Sequence, residues 1–331
     1  MSDPARSVRR VTQDTPTLLF ELEAQPVEVG AAEVVVSTWT PPPPPPAAVP
    51  MALPLLDGSD DAADTIEAVL GAVEASAAPA PAPRATPRVA VAERALPAPP
   101  TGPLPDWARA LGVFDLETTG IDTGTSRIVT AHVGLIDEDG VVVERKDWIV
   151  NPGVPIPEGA AAVHGITDER AKRFGRPPGE VVAEILAAIR SVFARGFPLV
   201  VYNAPYDLTL LAAEADRHRL WPLEVSAPVV DPLVLDKQID RFRRGKRTLT
   251  AATEAYGVAL TDAHDAGADA IAAGRLAQAI ARRHPEELTL TAQELHDAQV
   301  GWCLDQAERF QAYMREKRDP EFTTSGAWPC R

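Results

Sequence analysis

Proline decides where this chain can fold. Twenty of its 33 prolines fall within residues 1–105, six of them consecutive at 41–46. Each proline removes a backbone donor and fixes φ, so such a stretch favours extended polyproline segments over helix or sheet interiors. The same region holds only two aromatic residues, Phe20 and Trp39, and no lysine. It cannot bury enough apolar surface to offset the entropy of ordering, and we expect residues 1–105 to be a disordered Pro/Ala-rich arm. Within it, residues 61–77 place Ile66, Leu70 and Val73 at helical spacing, which suits a short helix that frays alone or forms on a partner. In a chain of 331 residues this leaves room for one core, which we place at residues 106–284, followed by a helical extension at 285–331.

Charge and cysteine narrow the class. A net charge of −15 argues against a protein that coats nucleic acid non-specifically, since that needs Lys and Arg to displace counterions, but not against an enzyme that grips one strand end. The two cysteines, Cys303 and Cys330, have neither disulfide-framework nor zinc spacing. No apolar run follows the early arginines, and the apolar stretch 47–56 is broken by proline, so we expect a cytoplasmic protein with no membrane span.

Beyond residue 105 the pattern becomes regular. GVFDLETTG (112–120) reads as a buried strand, and residues 127–150 read as two strands joined at Asp139-Gly140, a hairpin signal. Helical spacing follows over 160–174 and 180–195, then the short strand PLVVYN (198–203), a helix over 208–220, and a strand at APVVD (227–231). Helices over 249–256 and 266–283 close the domain, and 291–317 reads as an appended helix packed on the core. Three antiparallel strands followed by strands alternating with helices predict an α/β mixed five-stranded sheet with helices on both faces.

Several polar residues sit where chemistry is built. Asp115 and Glu117, two apart on the first strand, project to one face, and two like charges in an apolar strand call for a cation between them. Alone, such a pair also fits two solvated carboxylates at a strand end. Asp207, in NAPYD (203–207), lies where a parallel strand gives way to a helix, the place where open α/β sheets build ligand sites. It equally suits an acid favoured by a helix dipole. His264 and Asp269 of HDAGADA (264–270) converge only if His264 stands in the loop before the helix. Residues 237–247 carry Lys237, Arg241, Arg243, Arg244, Lys246 and Arg247 against Asp240, a basic strip that is either a solvated face or a grip on phosphates of a single strand.

Taken in order, FDLETTG, VHGIT (163–167), NAPYD and HDAGAD resemble the DEDDh exonucleases, the 3'-5' exonuclease superfamily that includes the proofreading subunit of bacterial polymerase III. The resemblance covers about residues 110–284. It implies a ribonuclease-H-like fold in which Asp115, Glu117, Asp207 and Asp269 hold two Mg²⁺ or Mn²⁺ ions and His264 is the general base. Oxygen ligands suit such hard cations, and an imidazole neutral near pH 7 can take a proton. It further implies that Leu116 and Thr118 line the terminal nucleotide, that His164 belongs to the pocket for the 3' end, and that Asn203 orders Asp207. Arg243 and Arg244 of the basic strip are expected to contact substrate.

The expected function is metal-dependent hydrolysis of DNA from a single-stranded 3' end, releasing nucleoside 5'-monophosphates by a two-metal mechanism. The alternatives are a 3'-5' exoribonuclease, since the sequence offers no evident sensor of the 2'-hydroxyl, and a non-catalytic module recruiting partners through the proline-rich arm. A polymerase or another protein is the partner expected for that arm.

Overall fold

The computed structural model describes residues 96–225, 228–261 and 263–331. The expected arm up to residue 95, with its helix at 61–77, lies outside the described residues. Strands β1 (Leu111–Thr118), β2 (Ile128–Ile136), β3 (Val142–Ile149), β4 (Leu199–Val200) and β5 (Val229–Val230) form one sheet in the order β3-β2-β1-β4-β5. β2 pairs antiparallel with both β1 and β3, and β4 and β5 run parallel to β1. This is the mixed five-stranded α/β sheet that the pattern predicts.

A short 3-10 turn (Asp106–Ala108) and helices α1 (Glu158–His164), α2 (Asp168–Phe174), α3 (Pro178–Ala194), α4 (Ala204–Arg217), α5 (Pro232–Ile239), α6 (Leu249–Tyr256), α7 (Ala266–Arg283) and α8 (Ala292–Lys317) complete the described elements. Two of them correct the sequence reading. The single helix expected over 160–174 is two, because Gly165 ends α1 in the left-handed region at φ 72° and Thr167 caps α2 by accepting the Arg170 N–H. The helix expected to begin at 208 begins at Ala204, with Pro205 in its first turn, where a missing N–H costs no hydrogen bond.

β1 is buried along both faces, and alternation sends its side chains into two cores. Phe114 and Leu116 pack with Val181, Ile185 and Ile189 of α3 and Leu208 and Leu211 of α4. Leu111 and Val113 pack on the other face with Ala273, Leu276 and Ile280 of α7 and with Tyr256. Helices therefore cover both faces of the sheet. Gly274 sets how closely α7 approaches, since a Cβ there would stand 2.6 Å from Val113 and 2.7 Å from Ile136. β3 forms one edge and carries Glu144, Arg145, Lys146 and Asp147, mostly exposed, which discourages pairing with another chain.

The boundaries of the domain are packed against it. Arg282 donates to the Gly102 carbonyl at 2.7 Å, and the Trp107 indole donates to the Leu288 carbonyl at 3.2 Å. α8 opens with a capping box between Thr291 and Glu294, and its Gln299 accepts from the Asp231 N–H at 2.7 Å while donating to the Val229 carbonyl. The appended helix is thus pinned to the end of β5.

Candidate active site

The face of β1 that begins with Leu111 and Val113 continues as Asp115 and Glu117, so two carboxylates emerge where the core under α7 runs out. β4 pairs with β1 only at Gly112 and Val113, which leaves the later main chain of β1 without a strand on that side. Asp207, buried in the first turns of α4, fills the gap: its Oδ1 accepts the Leu116 N–H at 3.1 Å. Asp269, in the first turn of α7, accepts the main-chain N–H of His264 at 3.2 Å through Oδ2.

His264 stands in the loop before α7, which starts at the cap Asp265, and adopts φ 71°, a left-handed backbone that costs a histidine free energy. That strain turns it toward the carboxylates. Ligand atoms of Glu117, His264 and Asp269 all lie within 4.8 Å of one another. The other strained non-glycine position of the motifs is Asn203, at φ 60°, which carries the chain from β4 into α4.

Electrostatics show how poorly these groups are served by the protein alone. Burial, then the charges of Asp207, Asp269 and Glu117, hold the Asp115 carboxyl well above its ordinary range. Burial followed by Asp269 and Asp207 pushes Glu117 up to about 9. Asp269 rises to about 7, chiefly by burial, with the His264 N–H pulling the other way, and its Oδ1 is buried with no hydrogen-bond partner. Asp207 is likewise raised by burial despite the Leu116 N–H. Four crowded oxygen donors that resist ionising, one with an unpartnered buried atom, suit one or more hard divalent cations.

The remaining predicted residues divide. His164 ends α1 beside this cluster, where burial above all, opposed by the Thr118 backbone but aided by nearby His264, pushes it down to about 4. Its Nδ1 accepts the Ile166 N–H at 3.2 Å and its Nε2 is buried without a partner. Leu116 and Thr118 are buried at the end of β1. Asn203 acts through its main chain, its N–H donating to Asp231 at 3.0 Å. Arg244 is exposed, whereas Arg243 turns inward and places its Nε and Nη2 at 3.0 and 2.6 Å from the two oxygens of buried Asp236. The Arg243 guanidinium thus spends its strongest bonds inside the fold.

Three supporting residues were not singled out from the sequence. The Tyr206 hydroxyl donates to the Gly120 carbonyl at 2.5 Å and touches the Thr118 hydroxyl at 2.6 Å, fixing the turn that follows β1. A buried tyrosine needs such a partner, and its place beside Asp207 was the available signal. Asp231, at the end of β5, accepts from Asn203, Ala204 and Leu233 and so holds the start of α4. His132, directly across from Asp115 on β2, is fully buried and bonds Asp147 of β3 at 2.8 Å, while Arg145 holds the same carboxylate. Gly267 of α7 lies against Arg145 and Asp147, which ties the start of that helix to the sheet edge.

Acidic oxygens and a histidine are thus gathered at the carboxyl end of β1 in a mixed sheet, a donor set that can hold divalent cations. Residues 113–277 match the family RNase_T, described as exonuclease, and through this domain the chain belongs to that exonuclease family. It is similar to the PolC-type DNA polymerase III of Streptococcus thermophilus and of Streptococcus pneumoniae, each 32% identical over 165 residues. Those matches take in 50% of this chain and only 10% of either relative, so the chain spans about a tenth of their length. Among solved structures it is similar to exonuclease I, at 20% identity and a TM-score of 0.47 over 57% of this chain and 42% of that one. A complex of E. coli exonuclease I with a dA16 oligonucleotide aligns at 21% identity and a TM-score of 0.48, over 57% and 42% of the two chains. No helix among the described residues is long and apolar enough to cross a membrane.

Proposed function

We propose that this chain removes nucleotides from the 3' end of DNA by hydrolysing phosphodiester bonds, releasing nucleoside 5'-monophosphates, with two Mg²⁺ or Mn²⁺ ions as cofactors and His264 as general base. The observation that carries this reading is the gathering of Asp115, Glu117, Asp207 and Asp269, all raised in pKa, with His264 beside Glu117 and Asp269. The four carboxylates would hold the cations, which when bound supply Lewis-acid stabilisation of the phosphate charge.

The chain's own residues supply the rest. Burial lowers the pKa of His264, so the imidazole is neutral at pH 7 and free to accept a proton from the attacking water. The left-handed turn at His264 and the bond from its N–H to Asp269 orient it for that role. Leu116 and Thr118, fixed by Asp207 and Tyr206, form the floor on which the terminal nucleotide rests, with His164 at the pocket's side. The names of the PolC-type relatives favour DNA as the polymer, and a cytoplasmic place beside a polymerase, contacted through the arm, fits the same reading.

His264→Ala should lower kcat by about 10²–10⁴-fold with KM nearly unchanged and flatten the pH profile near neutrality. If KM alone rises, His264 is a substrate contact and the assignment of the base fails. Rates on matched single-stranded DNA and RNA should differ in favour of DNA; faster RNA cleavage would replace DNA as the substrate.

A further inference from the structure

A cleft opens beyond the carboxyl ends of β4 and β5, beside the carboxylate cluster. It encloses about 660 Å³ between α5, the loop 240–248, α8 and the C-terminal segment, and it reaches Asn203 and Pro205 at the start of α4. Asn203 follows β4 and Asp231 follows β5, the two strands next to β1. At the usual strand spacing the cleft begins on the order of 10 Å from the end of β1, where the carboxylates lie. Asp207 belongs to the same first turns of α4 as Pro205, so a chain leaving the carboxylates across α4 enters this cleft directly.

Its composition is opposite to that of the active site. Among the described residues lining it, seven are Lys or Arg and one, Asp231, is acidic. Asp231 is buried, and its carboxylate is turned to the three main-chain N–H groups that it accepts. Arg241 and Arg244 are exposed, and Arg309 of α8 lines the same cleft, in an exposed ion pair with Asp305 at 3.8 Å. Aromatic surface accompanies the charge. Phe310 and Tyr313 line the α8 wall, and Phe242, between Arg241 and Arg243, is 88% exposed. Phe242 stands outside the lining, with the Arg241 guanidinium 5.7 Å over its ring. Two aromatic rings in a cleft lined by guanidinium groups are the pairing that single-stranded nucleic acid uses, bases on rings and phosphates on cations.

We infer that this cleft is a binding track for the single strand on the 5' side of the terminal nucleotide. Arg241, Arg244 and Arg309 meet its phosphates, and Phe310 and Tyr313 stack its bases. The appended helix α8 therefore serves as one wall of the substrate path. The inference rests on the proposed exonuclease reading for what lies at the strand's 3' end.

The test is fluorescence anisotropy on the full chain with 5'-labelled oligothymidylates of twenty and three nucleotides, with Ca²⁺ in place of Mg²⁺ to suppress hydrolysis. The doubly substituted Arg241→Ala/Arg244→Ala protein and, separately, Tyr313→Ala should each weaken binding of the twenty-mer about tenfold. The trinucleotide should weaken at least five times less. The double variant should also flatten the slope of log affinity against log salt by about 1.4, the loss of two phosphate contacts, while Arg241→Lys/Arg244→Lys retains it. Equal weakening of both oligonucleotides, or no weakening of either, overturns the track. Hydrolysis by the wild type is read in parallel with Mg²⁺. Length-dependent binding without hydrolysis leaves the track standing and defeats the exonuclease reading, and hydrolysis with unchanged affinities does the reverse.

Discussion

Two sets of buried carboxylates lie within a few strands of each other and are treated in opposite ways. Asp231 and Asp236 are almost wholly buried, and the fold supplies their partners: three main-chain N–H groups for Asp231, and the guanidinium groups of Arg243 and Arg247 for Asp236. Among Asp115, Glu117, Asp207 and Asp269, Asp207 accepts the Leu116 N–H and Asp269 that of His264, while the four carboxylates crowd one another. Burying a carboxylate is tolerable only when hydrogen bonds or cations replace lost water. Asp231 is still raised by burial despite its three donors, and the second set, with fewer, is the one that cations from solution would complete.

The contrast can be broken from either side. Asp236→Ala strands Arg243 and Arg247, whose side chains are only 10% and 8% exposed, and should destabilise the protein by about 3–5 kcal/mol in a denaturant titration. A loss under about 1 kcal/mol would mean that the pair is no better satisfied than the acidic cluster.

A smaller effect is expected from metal and pH together. Glu117 and Asp269 have native pKa values of about 9 and about 7, above those of the unfolded chain, so between about pH 4 and those values the native state holds more protons. Stability of the metal-free protein therefore falls as pH rises through this window, and the contribution is complete only below pH 4. Mg²⁺ or Mn²⁺ at a hundred times its dissociation constant should restore about 2.7 kcal/mol near pH 8, and much less near pH 5. Thermal unfolding in EDTA and in each metal, across that range, measures it. A flat profile would show that the four carboxylates do not repel one another.

The smallest effect has the opposite sign from the first. Asp115→Asn removes a carboxyl that burial and its neighbours make costly to ionise, and should stabilise the metal-free protein by about 1–2 kcal/mol, or about 2–8 °C in melting temperature, while impairing catalysis. Destabilisation in EDTA would place Asp115 with the satisfied set.

Much of this was legible in the sequence because it depends on local pattern. The apolar run before Asp115 marks a strand buried on both faces, and period-two alternation already puts Asp115 and Glu117 together. Convergence of His264 with Asp269 required a loop position for His264, and the structure has it. What escaped depends on contacts distant in sequence. The basic strip reads as one surface, yet Asp236, seven residues before Arg243, turns two of its arginines inward. Asp231 and Tyr206 look ordinary until β5 and α4 bring them to Asn203 and Thr118. The break at Gly165 was readable, since a glycine after His164 is a common helix stop, but apolar spacing on both sides masked it.

The central claim is that these four carboxylates, loaded with divalent cations, cut a strand from its 3' end. A 5'-labelled single-stranded oligonucleotide incubated with EDTA-stripped protein should stay intact, then shorten stepwise from its 3' end once Mg²⁺ is restored. Asp115→Ala should slow this by at least about 10³-fold at saturating Mg²⁺. A stripped wild type that cleaves as fast as the loaded one, or an Asp115→Ala protein with full activity, would contradict it.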